Sequence, residues 1–133
     1  MLYNPLEAPN PADWLALPDE DRFAAVEAFH VQAELAIGYR RTHCSMHVTV
    51  ENLVAKAGAT LAASTDSMVA VNLERLVKEG LDRHEAIHAI MDVIYGAFLG
   101  VMAGESSTIE SDKYREELTT MTAEKWRKVP PPW

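Results

Sequence analysis

Apolar positions recur along most of this chain at three- and four-residue intervals, the period of a helix with one buried stripe. Phe23, Val26 and Phe29, with His30 in the same register, trace a first amphipathic helix to about residue 36. Pro18-Asp19-Glu20-Asp21 opens it, because proline suits a first helical turn and acids there complement the helix dipole. Gly38 is expected to break it. A second helix runs from about Arg40 to Lys56 on Met46, Val50, Leu53 and Val54, with Gly58 as its stop. Thr65-Asp66 caps a third, to about Glu79, whose stripe is Val69, Leu73, Leu76 and Val77 and which Gly80 closes. Asp82 starts a long fourth helix to about Ala103, with Asp82 and Glu85 at the spacing of a capping box. A more polar last helix spans about Ser111 to Arg127.

The ends read differently. Residues 1–17 hold Pro5, Pro9 and Pro11 and form an irregular arm, with Trp14, Leu15 and Leu17 available to dock on the body. Residues 128–133 are an extended, proline-rich tail, expected to fray although a polyproline segment ending in Trp133 also suits a partner. No stretch alternates as a strand does, Val48-Thr49-Val50 being short and inside a helical frame. The expectation is one domain over residues 1–133, all-α, a bundle of four to five helices with an irregular N-terminal arm.

Charge and composition narrow the partners. A formal net charge of -8 argues against a nucleic-acid or anionic-membrane surface, which needs clustered Lys and Arg, and Arg40-Arg41 is too small a cluster to serve. The most apolar run, Ile87 to Ala103, contains His88 and Asp92 and is short for a bilayer span of ~20 residues, so a buried core helix is expected there. The N-terminus lacks a basic segment followed by an apolar one, so a cytoplasmic chain is expected. Cys44 is the single cysteine, which excludes an intramolecular disulfide; it is read as core. Gly96, Gly100 and Gly104 leave a smooth stripe for a close helix, from within the chain or from a second copy in a homodimer.

The chemistry lies in the histidines. His43 and His47 sit four apart, as do His84 and His88, so each pair shares one helix face and can reach one ion. Five randomly placed histidines give roughly 0.15 such pairs, so two disjoint pairs is about a one-in-a-hundred arrangement. An acid follows each pair at the same interval: Glu51 after His47, and Asp92 after His88. At i+8 from the first histidine, ~12 Å along the axis, neither acid shares its ion simply; each can orient the second histidine or serve a second metal site. Up-down-up packing would run the second and fourth helices parallel and bring the pairs to similar height. Four imidazoles suit zinc first, and also iron, nickel or copper. His30 is a further candidate from the first helix. The bland alternative is a set of partly buried histidines bonded to carbonyls or to Glu51 and Asp92, in an interaction domain that holds no metal.

The segments Thr42-His43-Cys44-Ser45-Met46-His47-Val48-Thr49-Val50-Glu51-Asn52 and Gly80-Leu81-Asp82-Arg83-His84-Glu85-Ala86-Ile87-His88-Ala89-Ile90 resemble the signatures of a family of small bacterial proteins built on a domain of unknown function. Those signatures are H-x3-H-x3-E and, some forty residues on, a second H-x3-H. The resemblance spans about residues 12–100. It implies a helical protein with a metal site at His43, His47, His84 and His88, and it implies neither a reaction nor a substrate.

His84-Glu85-Ala86-Ile87-His88 also fits H-E-x-x-H, in which two histidines hold zinc and the glutamate is general base. That reading makes Glu85 catalytic and requires a third ligand and an open position. Met91 and Ile94 stand where a metzincin has glycine and histidine; Glu105 or Glu110 as third ligand would lie near the helix end; and no sheet edge is expected to align a peptide. Glu85 also has a structural role open to it, as N3 partner of Asp82.

Overall fold

The computed structural model describes residues 2–33, 40–59 and 65–129, with the side chains of 65–67 not described. Seven helices and no strand occur among them: α1 Pro11–Ala16, α2 Asp19–Gln32, α3 Arg40–Ala59, α4 Thr65–Lys78, α5 Arg83–Met102, α6 Asp112–Thr120 and α7 Ala123–Lys128. The all-α bundle expected from the apolar stripes is the fold. Gly38, the Thr65-Asp66 cap side chains and the tail beyond Val129 lie outside the described residues.

Two apolar clusters meet at α3. The larger joins Val50 with Val69, Leu73 and Leu76 of α4, the apolar residues of α5 between Ala86 and Ile94, and Tyr114, Leu118, Ala123 and Trp126 of the C-terminal helices. The smaller joins Tyr3, Trp14, Val26, Cys44 and Ala55, and so pins the arm and α2 to the other face of α3. α5 is long and apolar enough to cross a bilayer. Its first half is instead buried in the larger cluster, while Phe98, Leu99 and Met102 near its end are exposed.

Local chemistry sets the boundaries. Gly80, at φ +111°, lets Leu81 N–H return to Leu76 C=O and its own N–H to Val77 C=O, the left-handed ending that glycine adopts without strain. Asp82 accepts the Glu85 N–H at 2.8 Å and starts α5.

Four expectations change. The arm is not wholly irregular: Asn10 caps Asp13 N–H and Pro11 takes the first turn of α1, which buries Trp14. α3 continues through Gly58 to Ala59. A Cβ at Gly58 would lie 3.0 Å from Pro11 Cγ, so this glycine admits the arm and does not stop the helix. The last helix is two, because Thr122 accepts Lys125 N–H and Glu79 accepts Ala123 N–H, which together start α7 afresh after an extended Met121. Finally, α3 and α5 do not meet in parallel order. Glu51 meets Arg83, His47 meets His84 and His43 meets His88, a sequence that runs oppositely along the two helices and is locked by the Glu51–Arg83 ion pair.

Candidate metal centre

Where the two clusters meet, α2, α3 and α5 converge on five histidines. His30, His43, His47, His84 and His88 each present a ring nitrogen, and these five atoms lie within 4.8 Å of one another. All are buried except the half-buried His84. The two helical pairs are brought together as expected, and His30 joins them from α2. Three nitrogen–nitrogen approaches are close: His30 Nε2 to His43 Nε2 at 3.0 Å, His47 Nε2 to His88 Nε2 at 3.1 Å, and His47 Nε2 to His84 Nε2 at 3.2 Å. With metal–nitrogen bonds of ~2.0–2.1 Å, adjacent ligands of one ion stand ~2.9–3.4 Å apart.

The protein's own groups decide which nitrogen carries the proton in two of these rings. A carbonyl only accepts, so His30 Nδ1–H donates to Val26 C=O at 2.8 Å and Nε2 keeps its lone pair. The Tyr3 hydroxyl has one proton, which it donates to Glu51 Oε2 at 2.6 Å; its oxygen is then the acceptor for His47 Nδ1–H at 3.3 Å. His47 Nε2 therefore keeps its lone pair as well. Glu51 is fixed in turn by Arg83, whose two terminal nitrogens donate to Oε2 at 3.0 Å and Oε1 at 2.6 Å. Glu51 thus acts on His47, the histidine four residues before it, through Tyr3.

Electrostatics keep the rings neutral. Burial, then the neighbouring rings, hold His43 down at about 4 and His88 at about 2; burial, then His30, holds His84 at about 4. The same causes put His47 well below the ordinary histidine range, and burial lowers His30 against the opposing pull of its Val26 bond. Neutral imidazole is the ligating form. Burial, followed by Glu51, pushes the Tyr3 phenol above its ordinary value, so it serves as a neutral donor.

The remaining candidates lie around this centre. Glu85 is exposed, and its Oε2 accepts the Trp126 indole N–H at 2.9 Å, tying α5 to α7. Asp92 lines a cleft with Glu117, Met121 and Lys125 beside α6 and α7; burial and Glu117 raise its pKa. Cys44 is fully buried in the smaller core, and burial pushes its thiol up to about 11. Tyr3 and Arg83 were not signalled by spacing. Tyr3 lies 44 residues from His47, and Arg83 beside His84 reads as an ordinary helix-start cation. No protein-family model, curated protein or solved structure matches the chain.

Proposed function

We propose that this protein binds a transition metal ion, zinc first among the late first-row metals, on His30, His43, His47, His84 and His88. One observation carries the reading. His47 Nε2 faces both His84 Nε2 and His88 Nε2 at hydrogen-bond distance, and a single ring lone pair accepts only one in-plane proton. A cation at the common focus satisfies the converging lone pairs together. Five neutral imidazoles suit zinc, nickel, copper or iron, and they disfavour the hard cations that need oxygen ligands.

The ion would staple α2, α3 and α5 together across the junction of the two apolar clusters. Glu51 is held by Arg83 and Tyr3, and Glu85 by Trp126, so these two glutamates already have structural partners. That favours a metal-holding role over hydrolysis with Glu85 as base. Metal analysis of protein purified without an affinity tag tests the proposal, together with thermal denaturation with and without zinc. Near-stoichiometric metal and a rise of several degrees are expected, since ligand at a hundredfold over Kd stabilises by roughly 2.7 kcal/mol. A metal-free protein with no zinc-induced shift would refute it.

A further inference from the structure

The hydrogen bonds that orient His47 also hold the N-terminal arm. Tyr3 is buried and packs against Trp14, Phe29 and His47, the last two edge-on. The Arg83 nitrogen that donates to Glu51 Oε2 also donates to Pro5 C=O at 3.0 Å. One continuous path therefore runs from the arm backbone at Pro5, through Arg83, Glu51 and the Tyr3 hydroxyl, to His47 Nδ1. The opposite nitrogen of that ring points into the histidine cluster.

We propose that residues 2–9 form a metal-responsive clasp, in which ion binding at the cluster and closure of the arm stabilise each other. The proposal rests on the metal reading above. Coordination at Nε2 draws electron density from the imidazole and makes Nδ1–H a stronger donor to the Tyr3 oxygen. Tyr3, backed by the Glu51 carboxylate, in turn makes His47 the more basic ligand. Coupling of this kind is reciprocal: what the ion contributes to arm closure, the closed arm returns to ion affinity. Tyr3 is thus a positioning residue for His47. α1 has its own anchors, Trp14 on Asn52 and Arg22 on the Leu15 and Leu17 carbonyls, so loss of the Tyr3 hydroxyl need not undock the rest of the segment.

The experiment compares full-length wild type with Tyr3→Phe, measuring zinc affinity by chelator competition and hydrogen exchange of the Leu6 and Glu7 amides, both of which bond to Asn4, with and without zinc. Tyr3→Phe is expected to weaken zinc by about 10–100-fold, the range for a residue that orients a ligand. Zinc is expected to slow arm exchange in wild type and to leave it unchanged in the variant. If wild type binds zinc but its arm exchange ignores the ion, or the variant binds within about twofold of wild type, the clasp is wrong and the metal reading stands. If wild type takes up no zinc, both fall. Should Tyr3→Phe fail to fold, the exchange experiment on wild type alone still decides.

Discussion

His47 Nε2 lies 3.1 Å from His88 Nε2, two neutral imidazoles aimed at each other in a buried site. His84 Nε2 meets the same His47 nitrogen at 3.2 Å, and one lone pair accepts only one of the two protons, so the three rings are poorly satisfied without an ion and well placed as ligands with one. His88→Leu, nearly equal in volume, relieves the crowding and removes a ligand. The metal-free variant is expected to melt at or above the temperature of metal-free wild type, while its zinc-induced shift shrinks, with four of the five imidazoles left. Scanning calorimetry with chelator and with zinc checks both halves; a variant that keeps the full zinc shift shows that His88 is not a ligand.

Acid should destabilise the metal-free protein over a defined window. His43 and His84 titrate at about 4 in the folded chain, chiefly through burial, and near ~6.5 in the unfolded chain. Between those values the unfolded state binds protons that the folded state refuses. Stability is therefore complete above ~6.5 and falls as pH drops toward about 4, by at most about 1.4 kcal/mol per pH unit for each such histidine. Melting temperature across this range, with chelator present, should slope downward toward acid, and less steeply in His88→Leu. Equal slopes in the two proteins would place the titrating groups elsewhere.

Much of this was legible from spacing. The stripes of α2 to α5 and the two i,i+4 pairs follow directly from helical geometry, since a helix places those side chains on one face whatever it packs against. His30 shares the register of Val26 but has no helical partner, so only the packing of α2 on α3 reveals it as the fifth ring. Tyr3 and the order in which α3 meets α5 depend on long-range docking and leave no local trace. Gly58 shows a further limit. Glycine is a common helix stop, yet here the helix continues, and the missing side chain makes room for Pro11, 47 residues away in the sequence.

Arg83 and Glu51 form a pair whose side chains are 12% and 0% exposed. Removing one partner strands the other's charge in the interior. Arg83→Met is expected to lower stability by about 3–5 kcal/mol, and Glu51→Gln/Arg83→Met to recover a substantial part of that loss. Denaturant unfolding of the two single variants and the double variant measures the coupling. Additive losses would mean that the pair is not energetically joined. The loss in Arg83→Met should also exceed any change in zinc affinity that remains after allowing for stability, because Arg83 reaches His47 only through Glu51 and Tyr3.

Glu85 separates a hydrolytic from a structural use of the H-E-x-x-H segment. Its backbone N–H is capped by Asp82 and its carboxylate receives the Trp126 indole. Both are ties of folding, one starting α5 and the other docking α7. Glu85→Gln keeps an oxygen acceptor for Trp126 and should be nearly neutral, whereas Glu85→Ala leaves a part-buried indole N–H without its partner and should destabilise by about 1–3 kcal/mol. Asp82→Ala should cost about 1 kcal/mol through the lost cap. Metal content should be unchanged in all three, and the Trp126 contribution to fluorescence should shift in Glu85→Ala alone. A general base behaves oppositely: Glu85→Gln would abolish any zinc-dependent hydrolysis while leaving the melting temperature where it was. That outcome, with zinc still bound, would move Glu85 from the fold into the chemistry.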